Sequence, residues 1–542
     1  MVALVAQGDW LGGQLTAQGV CTPDENAWIE DGGASASYRA LRKALRDHYR
    51  RHYRLSAQGL AQEYFNPGSC WVSRISAEPR VALRVLSDML GTYGGRVRTL
   101  FNCHAVEAVV AADRITSVRF RAPNGDVTDI SAPMVLDATD LGDLLPLAGA
   151  EYRLGAEGRD ETGEPDAPER PALQRIQPFT FPFALELRPA GEDHTIPRPA
   201  SYDRMKALQQ YHVLDGAMQS MFGEFGWWDY RRVIAAANFD DPAFPCDIAM
   251  INTSSNDYRG GVLPAGSPEA QRAVLADGRL ASLGYVYWLQ TECPREDDPS
   301  RHGYPELLLC SDWFGTADGL APEPYIRESR RIVALDTVRE QDIVVADASG
   351  QVHQSGPRAR FRHDSVGIGH YWLDIHEGAS DEPGVFLDTV PYQIPMGALI
   401  PVRLRNLLPA CKNLGVTHLT NGALRLHPVE WAVGEAAGAL AAFCVEHAVE
   451  PHDVFTRASL RERFQDSLLD AGVPLYWWGD LAPDRPEWQA AQWLSTKGIW
   501  PKENDIRFRS DEPVPADFPL HRPACPTRDT LAMRLFAEMH RG

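Results

Sequence analysis

The sequence contains no CxxC pair. Its nine cysteines, Cys21, Cys70, Cys103, Cys246, Cys293, Cys310, Cys411, Cys444 and Cys525, are scattered and odd in number. They suggest neither a zinc site nor a disulfide framework, no metal is expected, and a reducing, cytoplasmic compartment fits best. No apolar run approaches the roughly 20 residues that a membrane-spanning helix needs. The opening segment, MVALVAQGDWLGGQ, has neither the basic residues nor the long apolar stretch of a signal peptide and reads as a strand. Positive charge is in deficit, with 53 Lys and Arg against 73 Asp and Glu and a net charge of −20. That balance argues against nucleic-acid binding, because phosphate contacts require a basic face. No internal repeat of solenoid period is visible.

What remains is the composition of an ordinary globular enzyme: 542 residues, 44 % apolar, with 14 Trp. Such a chain divides into two to four units at roughly 150 residues each. Val2 to Val5 is a β-branched run followed by a glycine-dense loop. YRALRKALRDHYRRHY, from Tyr38 to Tyr53, and PRVALRVLSDMLGTYGG, ending at Gly94 and Gly95, carry the apolar spacing of amphipathic helices. VRTLFNCHAVEAVV reads as a strand. After it, alternation around Asn124–Gly125 predicts a hairpin whose last strand runs from Pro133 to Leu136 and ends at Asp137. Glu157 to Arg175, rich in Glu, Asp, Gly and Pro, reads as a mobile surface connection. The region up to about residue 400 shows aromatic strands and loops and few long periodic helices.

Three separated segments carry the chemistry. LGGQLTAQG sets Gly12, Gly13 and Gly19 around Thr16, where backbone N–H groups can approach a ligand that a Cβ would exclude. MVLDATDLGDLL brings a buried strand to Asp137, Ala138, Thr139 and Asp140 at its carboxyl end, where open α/β sheets hold ligands; Thr139 or Asp140 also explains itself as a helix cap. NLLPACKNLGVTHLTNGALRLHPVEWAVGEAAGALAAF reads as strand, turn and helix. In it Gly434, Gly438 and Ala442 recur every four residues, a face that can lie on a sheet or a flat cofactor.

In their order these segments resemble the FAD-dependent oxidoreductases of the glutathione-reductase-like superfamily, and together with NPGSCWVSRISAEPRVAL, SVGIGHYWLDIH and PYQIPMGALIP they look like bacterial members of that family. The resemblance implies an α/β fold: a discontinuous Rossmann-like FAD-binding domain at 1–37, 96–156 and 401–455, a helical cap at 38–95 and a mixed β-rich substrate domain at 157–400. It implies FAD contacts at Gly12, Gly13, Gln14, Thr16, Ala138, Thr139, Asn413, Gly434 and Gly438, with the adenine held at the backbone of Val106. It also implies hydride transfer from a small-molecule substrate to flavin. Flavin chemistry often uses a base and a cation for the substrate, for which His418 and Arg425 are the candidates; His427, Glu430, His370, Tyr371, His376 and Tyr392 lie in the same segments. For each, a structural hydrogen-bonding role competes. Cys21, Cys70 and Cys411 read as small buried thiols against a redox or covalent-flavin role.

The family pattern begins with a strand, a G-x-G-x-x-G turn and a helix, roughly 30 residues in all. Here Met1 falls at the second strand, and Ala6 stands where an acidic ribose ligand is expected. This departure motivates a rival reading, a flavin-free remnant acting as a binding or structural protein. The tail, 473–542, with a helix over Trp488 to Lys497 and a second helix start at Thr527–Arg528, resembles a single surface-layer-homology-like module. One copy is expected to act in packing or subunit contact, and a wall-associated protein is the third reading. The substrate, the electron acceptor and the oligomeric state stay open.

Overall fold

The structure, a computed structural model, describes residues 1–540 apart from 215, 217, 264–265, 379–382 and 503. Residues 541–542 and 503, which belong to the tail motif, lie outside the described residues. The β-branched run forms β1 (Val2–Val5). Beyond the glycine loop come α1 (Ala36–His52) and α2 (Pro79–Gly91). Ser35 starts α1 by accepting from Tyr38 N–H, and Pro79 opens α2, where its missing N–H costs nothing. The segment read as one strand is two, β2 (Val97–Leu100) and β3 (His104–Ala111). Asn102, at φ 55°, turns the chain between them.

β2 lies parallel to β1, with Val2 opposite Val97. β3 instead joins β4 (Arg114–Arg121) and β5 (Val127–Ile130) in an antiparallel sheet. Gly125, at φ 89°, closes the β4–β5 hairpin where Asn124–Gly125 predicts it. A register shift between Ala105 and Glu107 places Val106 in a bulge. β6 is Val135–Asp137.

Residues 157–175 run partly over the surface, with Arg159–Glu161 and Glu169–Pro171 exposed, but are anchored to the interior. Glu157, Thr162, Glu164 and Ala167 are buried, because the two glutamates satisfy backbone N–H groups elsewhere: Glu157 accepts from His418 and Glu164 from Glu340. Next stands a four-stranded antiparallel sheet of β7 (Phe183–Leu187), β8 (Arg232–Ile234), β9 (Ile248–Ile251) and β10 (Leu307–Leu309), in the order β10-β7-β9-β8. One face sends Phe183, Leu185, Ala249 and Ile251 against the 24-residue α3 (Pro268–Thr291), a long helix the composition did not suggest. The opposite face sends Ala184, Ile248 and Met250 to the core of α1, the period-two alternation of a sheet covered on both sides.

Then follow β11 (Ser365–Gly369), β12 (Leu373–Ile375), β13 (Val385–Leu387), β14 (Tyr392–Pro395) and β15 (Leu407–Pro409). β15 runs parallel to β6, Pro409 opposite Asp137. The pairs β1–β2 and β6–β15 are separate parallel ribbons, and no strand joins them among the described residues. Helices α4 (His418–Leu424) and α5 (His427–His447) complete this part. By length and hydropathy α5 alone among the described helices could cross a membrane, and half of that stretch is buried in the fold. Its packed face is Val429, Ala432, Val433, Ala436, Ala437 and Leu440. The Gly434–Gly438 face lies beside it: a Cβ on Gly434 would approach Ala410 O at 3.2 Å, and one on Gly438 would meet nothing within 4 Å. Gly434 therefore allows a close approach to the chain just after β15, as its spacing suggests, whereas Gly438 provides no such contact.

α6 (Ala458–Asp470) and, in the tail, α7 (Trp488–Thr496) and α8 (Arg528–Met539) share the core of α5, with Trp478, Trp488, Phe508 and Leu531 all buried in it.

Candidate functional site

The glycine loop takes the shape its residues allow. Gly12, Gly13 and Gly19 have φ 107°, 48° and 71°, left-handed backbone that a side chain disfavours. A Cβ at Gly12 would press on Leu86 and Thr16, whereas one at Gly13 would find open space beside Gln18. Thr16 is buried and donates its hydroxyl to Leu11 O, 2.6 Å away. Gln14 donates through Nε2 to Arg425 O (2.9 Å) and Glu430 Oε2 (2.5 Å), and Gln18 donates to Asp140 Oδ2 (2.6 Å). Their carbonyl oxygens, Gln14 Oε1 and Gln18 Oε1, are left buried without a donor among the described residues. The first turn of α5 is tied to the loop by His427, which accepts from Asp24 N–H (3.1 Å) and lies 2.9 Å from Val20 O through Nε2. Burial pushes its pKa down to about 4.

At the carboxyl end of β6, Asp137 accepts from the Thr139 N–H and hydroxyl and from Leu144 N–H. Burial lifts its pKa to about 6. Ala138 is exposed at the turn, and Asn413 donates to Asp137 O at 3.0 Å. Lys412, almost wholly buried, bridges Asp140 (2.7 Å) and Glu430 (3.2 Å). Glu323 stands against Gly8 with no side-chain hydrogen bond or ion pair among the described residues. Burial and then the neighbouring Asp140 push its pKa up to about 7.

α4 carries both catalytic candidates. At its start His418 N–H donates to Glu157 Oε2 (2.8 Å), and His418 Nδ1 lies 2.9 Å from Glu328 Oε2. Glu328 pairs with Arg331, which also binds Glu157 at 2.9 Å. Burial alone would raise the Glu328 pKa; His418 and Arg331 outweigh it and hold the carboxyl below its usual range. With Nδ1–H directed at a carboxylate, Nε2 is the atom left buried without a partner among the described residues. His418 lines a small cavity of about 10 Å³, the size of one water site. Gln177, whose buried Oε1 also has no donor, and His376 line the same cavity.

Arg425 caps the opposite end of α4, about 10 Å from His418 at ~1.5 Å per residue. Its guanidinium is buried and donates to Tyr325 OH (2.7 Å) and Asp374 Oδ2 (3.2 Å), with Nε left unpartnered. Asp374 Oδ2 lies 3.3 Å from His376 Nε2, and His376 Nδ1 lies 2.6 Å from Asp257 Oδ2. Arg425 thus reaches His376 through Asp374, and His376 shares with His418 only the lining of the small cavity. The other candidates are engaged structurally: Tyr392 OH donates to Ala423 O (2.7 Å), Tyr371 OH to Asp24 Oδ1 (3.2 Å), and His370 sits beside Trp28 and Trp477. Cys21, Cys70 and Cys411 are buried, and burial pushes each thiol up, Cys70 to about 11, away from the thiolate form that reacts.

The sequence pattern of the FAD dependent oxidoreductase family matches residues 1–468. The chain belongs to that family. Its cofactor is FAD, and the match does not favour the flavin-free reading. No curated protein matches the chain. Among solved structures, a myxobacterial chondrochloren halogenase, CndH, described as a variant of FAD-dependent halogenases, is 12 % identical over 86 % of this chain and 79 % of its own, with a TM-score of 0.29. The Diels-Alderase PyrE3 of pyrroindomycin biosynthesis is 11 % identical over 92 % and 73 %, with a TM-score of 0.25. Likenesses this weak say nothing of chemistry.

The residues of the glycine loop fit a flavin ring. Such a ring offers an N–H donor between carbonyl acceptors; the loop carries two buried carbonyl oxygens without a donor among the described residues, Gln14 Oε1 and Gln18 Oε1, and leaves open space at Gly13. The surroundings of β6 suit a diphosphate less well, because Asp140, Asp143, Glu323 and Glu430 gather there against Lys412 and Arg330. Sequence reading missed Glu328, Gln177, Lys412 and Glu323. Glu328 stands in the run RESRR, which reads as a solvated charge cluster; its meaning comes from His418, 90 residues on.

Proposed function

We propose that this chain oxidises an anionic small molecule, with hydride passing from the substrate to FAD and His418 removing a substrate proton. FAD, when bound, supplies the two-electron acceptor. The observation that carries the reading is His418 itself: Nδ1 held by Glu328, Nε2 buried without a partner among the described residues, and beside it a one-water cavity shared with Gln177 and His376, so that the substrate proton would reach Nε2 through that water. A base oriented by a second group is the arrangement that general-base chemistry needs. The unpartnered Nε edge of Arg425 is the part of that residue available to a substrate anion.

Gln14, Gln18 and the backbone of Gly12 and Gly13 would hold the ring, and Thr139 and Asn413 would fix the strand end beside it. A strand–turn–helix unit ahead of β1 belongs to the same proposal. Its support is that β1 and β6 each pair on one edge only among the described residues. The tail is read as a packing element, supported by its share in the α5 core. The test is anaerobic mixing of the FAD-loaded protein with a panel of small organic acids and amines, following loss of the oxidised-flavin absorbance. The wild type should be reduced by at least one member, and His418→Gln should slow that reduction by about 10²–10⁴-fold while keeping its flavin. Reduction of His418→Gln at the wild-type rate would overturn the assignment.

A further inference from the structure

We propose that the groove between α1 and α2 is a binding site for a small organic anion, an acidic head group carried on an apolar body. The groove encloses about 610 Å³, within the roughly 300–1,000 Å³ of small-molecule sites. Ala44, Val85 and Met89 give it an apolar floor. Four cationic or protonatable side chains stand round it: His48, Arg51 and His52 from α1 and Arg84 from α2. His48 and His52 are four residues apart and so share one helix face, their ring centroids 4.5 Å apart.

Arg51 is paired with Asp47 (3.6 Å), which also meets Lys43 (2.5 Å), while Arg84, His48 and His52 form no ion pair among the described residues. Asp88 is the one carboxylate in the lining. In a chain of net charge −20, a concave site with Arg84 free of an ion pair among the described residues and two protonatable histidines over an apolar floor is complementary to an anion with an apolar tail. The basic last turn of α1, Arg50, Arg51 and His52, suits the helix dipole. That does not account for Arg84, which comes from a different helix, or for His48 one turn earlier. The groups facing the histidines are Asp47, Arg51 and Tyr53 on or just after α1, and Arg84 and Asp88 on α2. Burial, then His52, Arg84 and Arg51, push the His48 pKa down, with only Asp88 opposing; a bound anion would reverse that bias. Affinity should therefore rise as pH falls through the histidine range near ~6.5.

The site is independent of the flavin reading and can be tested in the full chain as purified. Calorimetric titrations with octanoate, with inorganic phosphate and with neutral 1-octanol, at pH 6 and pH 8, separate tail from head group. Saturable one-site binding of octanoate, weaker by about tenfold at pH 8 and by about tenfold in Arg84→Gln or His48→Gln, is expected from loss of a charge-assisted contact. Octanoate without phosphate shows that the apolar body is required; phosphate binding that octanoate displaces shows that the head group suffices. Both support the site. Absence of saturable binding of either anion at pH 6, octanol binding as tight as octanoate, or octanoate binding unchanged in both variants overturns it. Should a variant fail to fold, the wild-type pH dependence decides by itself: equal octanoate affinity at pH 6 and pH 8 overturns the proposal.

Discussion

Glu157, Arg331, Glu328 and His418 form a buried chain in which each charge is met by the next. Glu328→Gln removes the carboxylate that holds His418 Nδ1 and one of the two that meet Arg331, which keeps Glu157 at 2.9 Å. It should therefore cost about 1.5–3 kcal/mol, the range for a hydrogen bond to a charged group, seen as a lower denaturation midpoint in urea, and should slow flavin reduction together with His418→Gln. His427 gives a pH signature. Its folded pKa is depressed to about 4 by burial, so its contribution is present above its unfolded pKa of about 6.5 and is lost as pH falls from there through 4. Up to about 3 kcal/mol is at stake by that shift, and His427→Gln should flatten the fall in melting temperature between pH 6.5 and 4. The ionic chain was hidden in the sequence because its links are long-range. His418 could be picked out as a candidate, but Glu157 and Glu328 lie in segments that look solvated.

At the scale of elements, α1, α2, the Asn124–Gly125 hairpin and α5 all stand where periodicity and turn chemistry put them. What periodicity could not supply is which face of α5 is packed. Glycines every four residues and an Ala/Val/Leu stripe beside them are both consistent with one helix, and partners distant in sequence select the second. Gly438 is an exposed glycine in a helix interior, so Gly438→Ala should stabilise by about 0.5–1 kcal/mol. Gly422 in α4 is the opposite case. A Cβ there would stand 2.8 Å from the Asp374 backbone, so Gly422→Ala should lower the melting temperature and displace the Asp374–His376 contact. Comparing the two alanine variants by thermal melting checks both directions at once.

The molecule as a whole is built on several cores. The β7–β10 sheet lies between α1 and α3, and α5 shares its core with the tail. The α/β class was legible, since strands and helices alternate in the sequence; the burial of Glu157, Thr162, Glu164 and Ala167 and the length of α3 were not, because charge and proline content mask contacts made elsewhere. β1 pairs on a single edge among the described residues and is partly exposed, so its amides should exchange with solvent faster than those of β7 and β9, which are paired and covered. The central claim is that this fold holds FAD. Flavin released from the purified, denatured protein, and flavin regained on reconstitution, test it most directly. One FAD per chain, with weaker retention in a Gln14→Ala, Gln18→Ala double variant, is expected; a folded, colourless protein that takes up no FAD on reconstitution would contradict it.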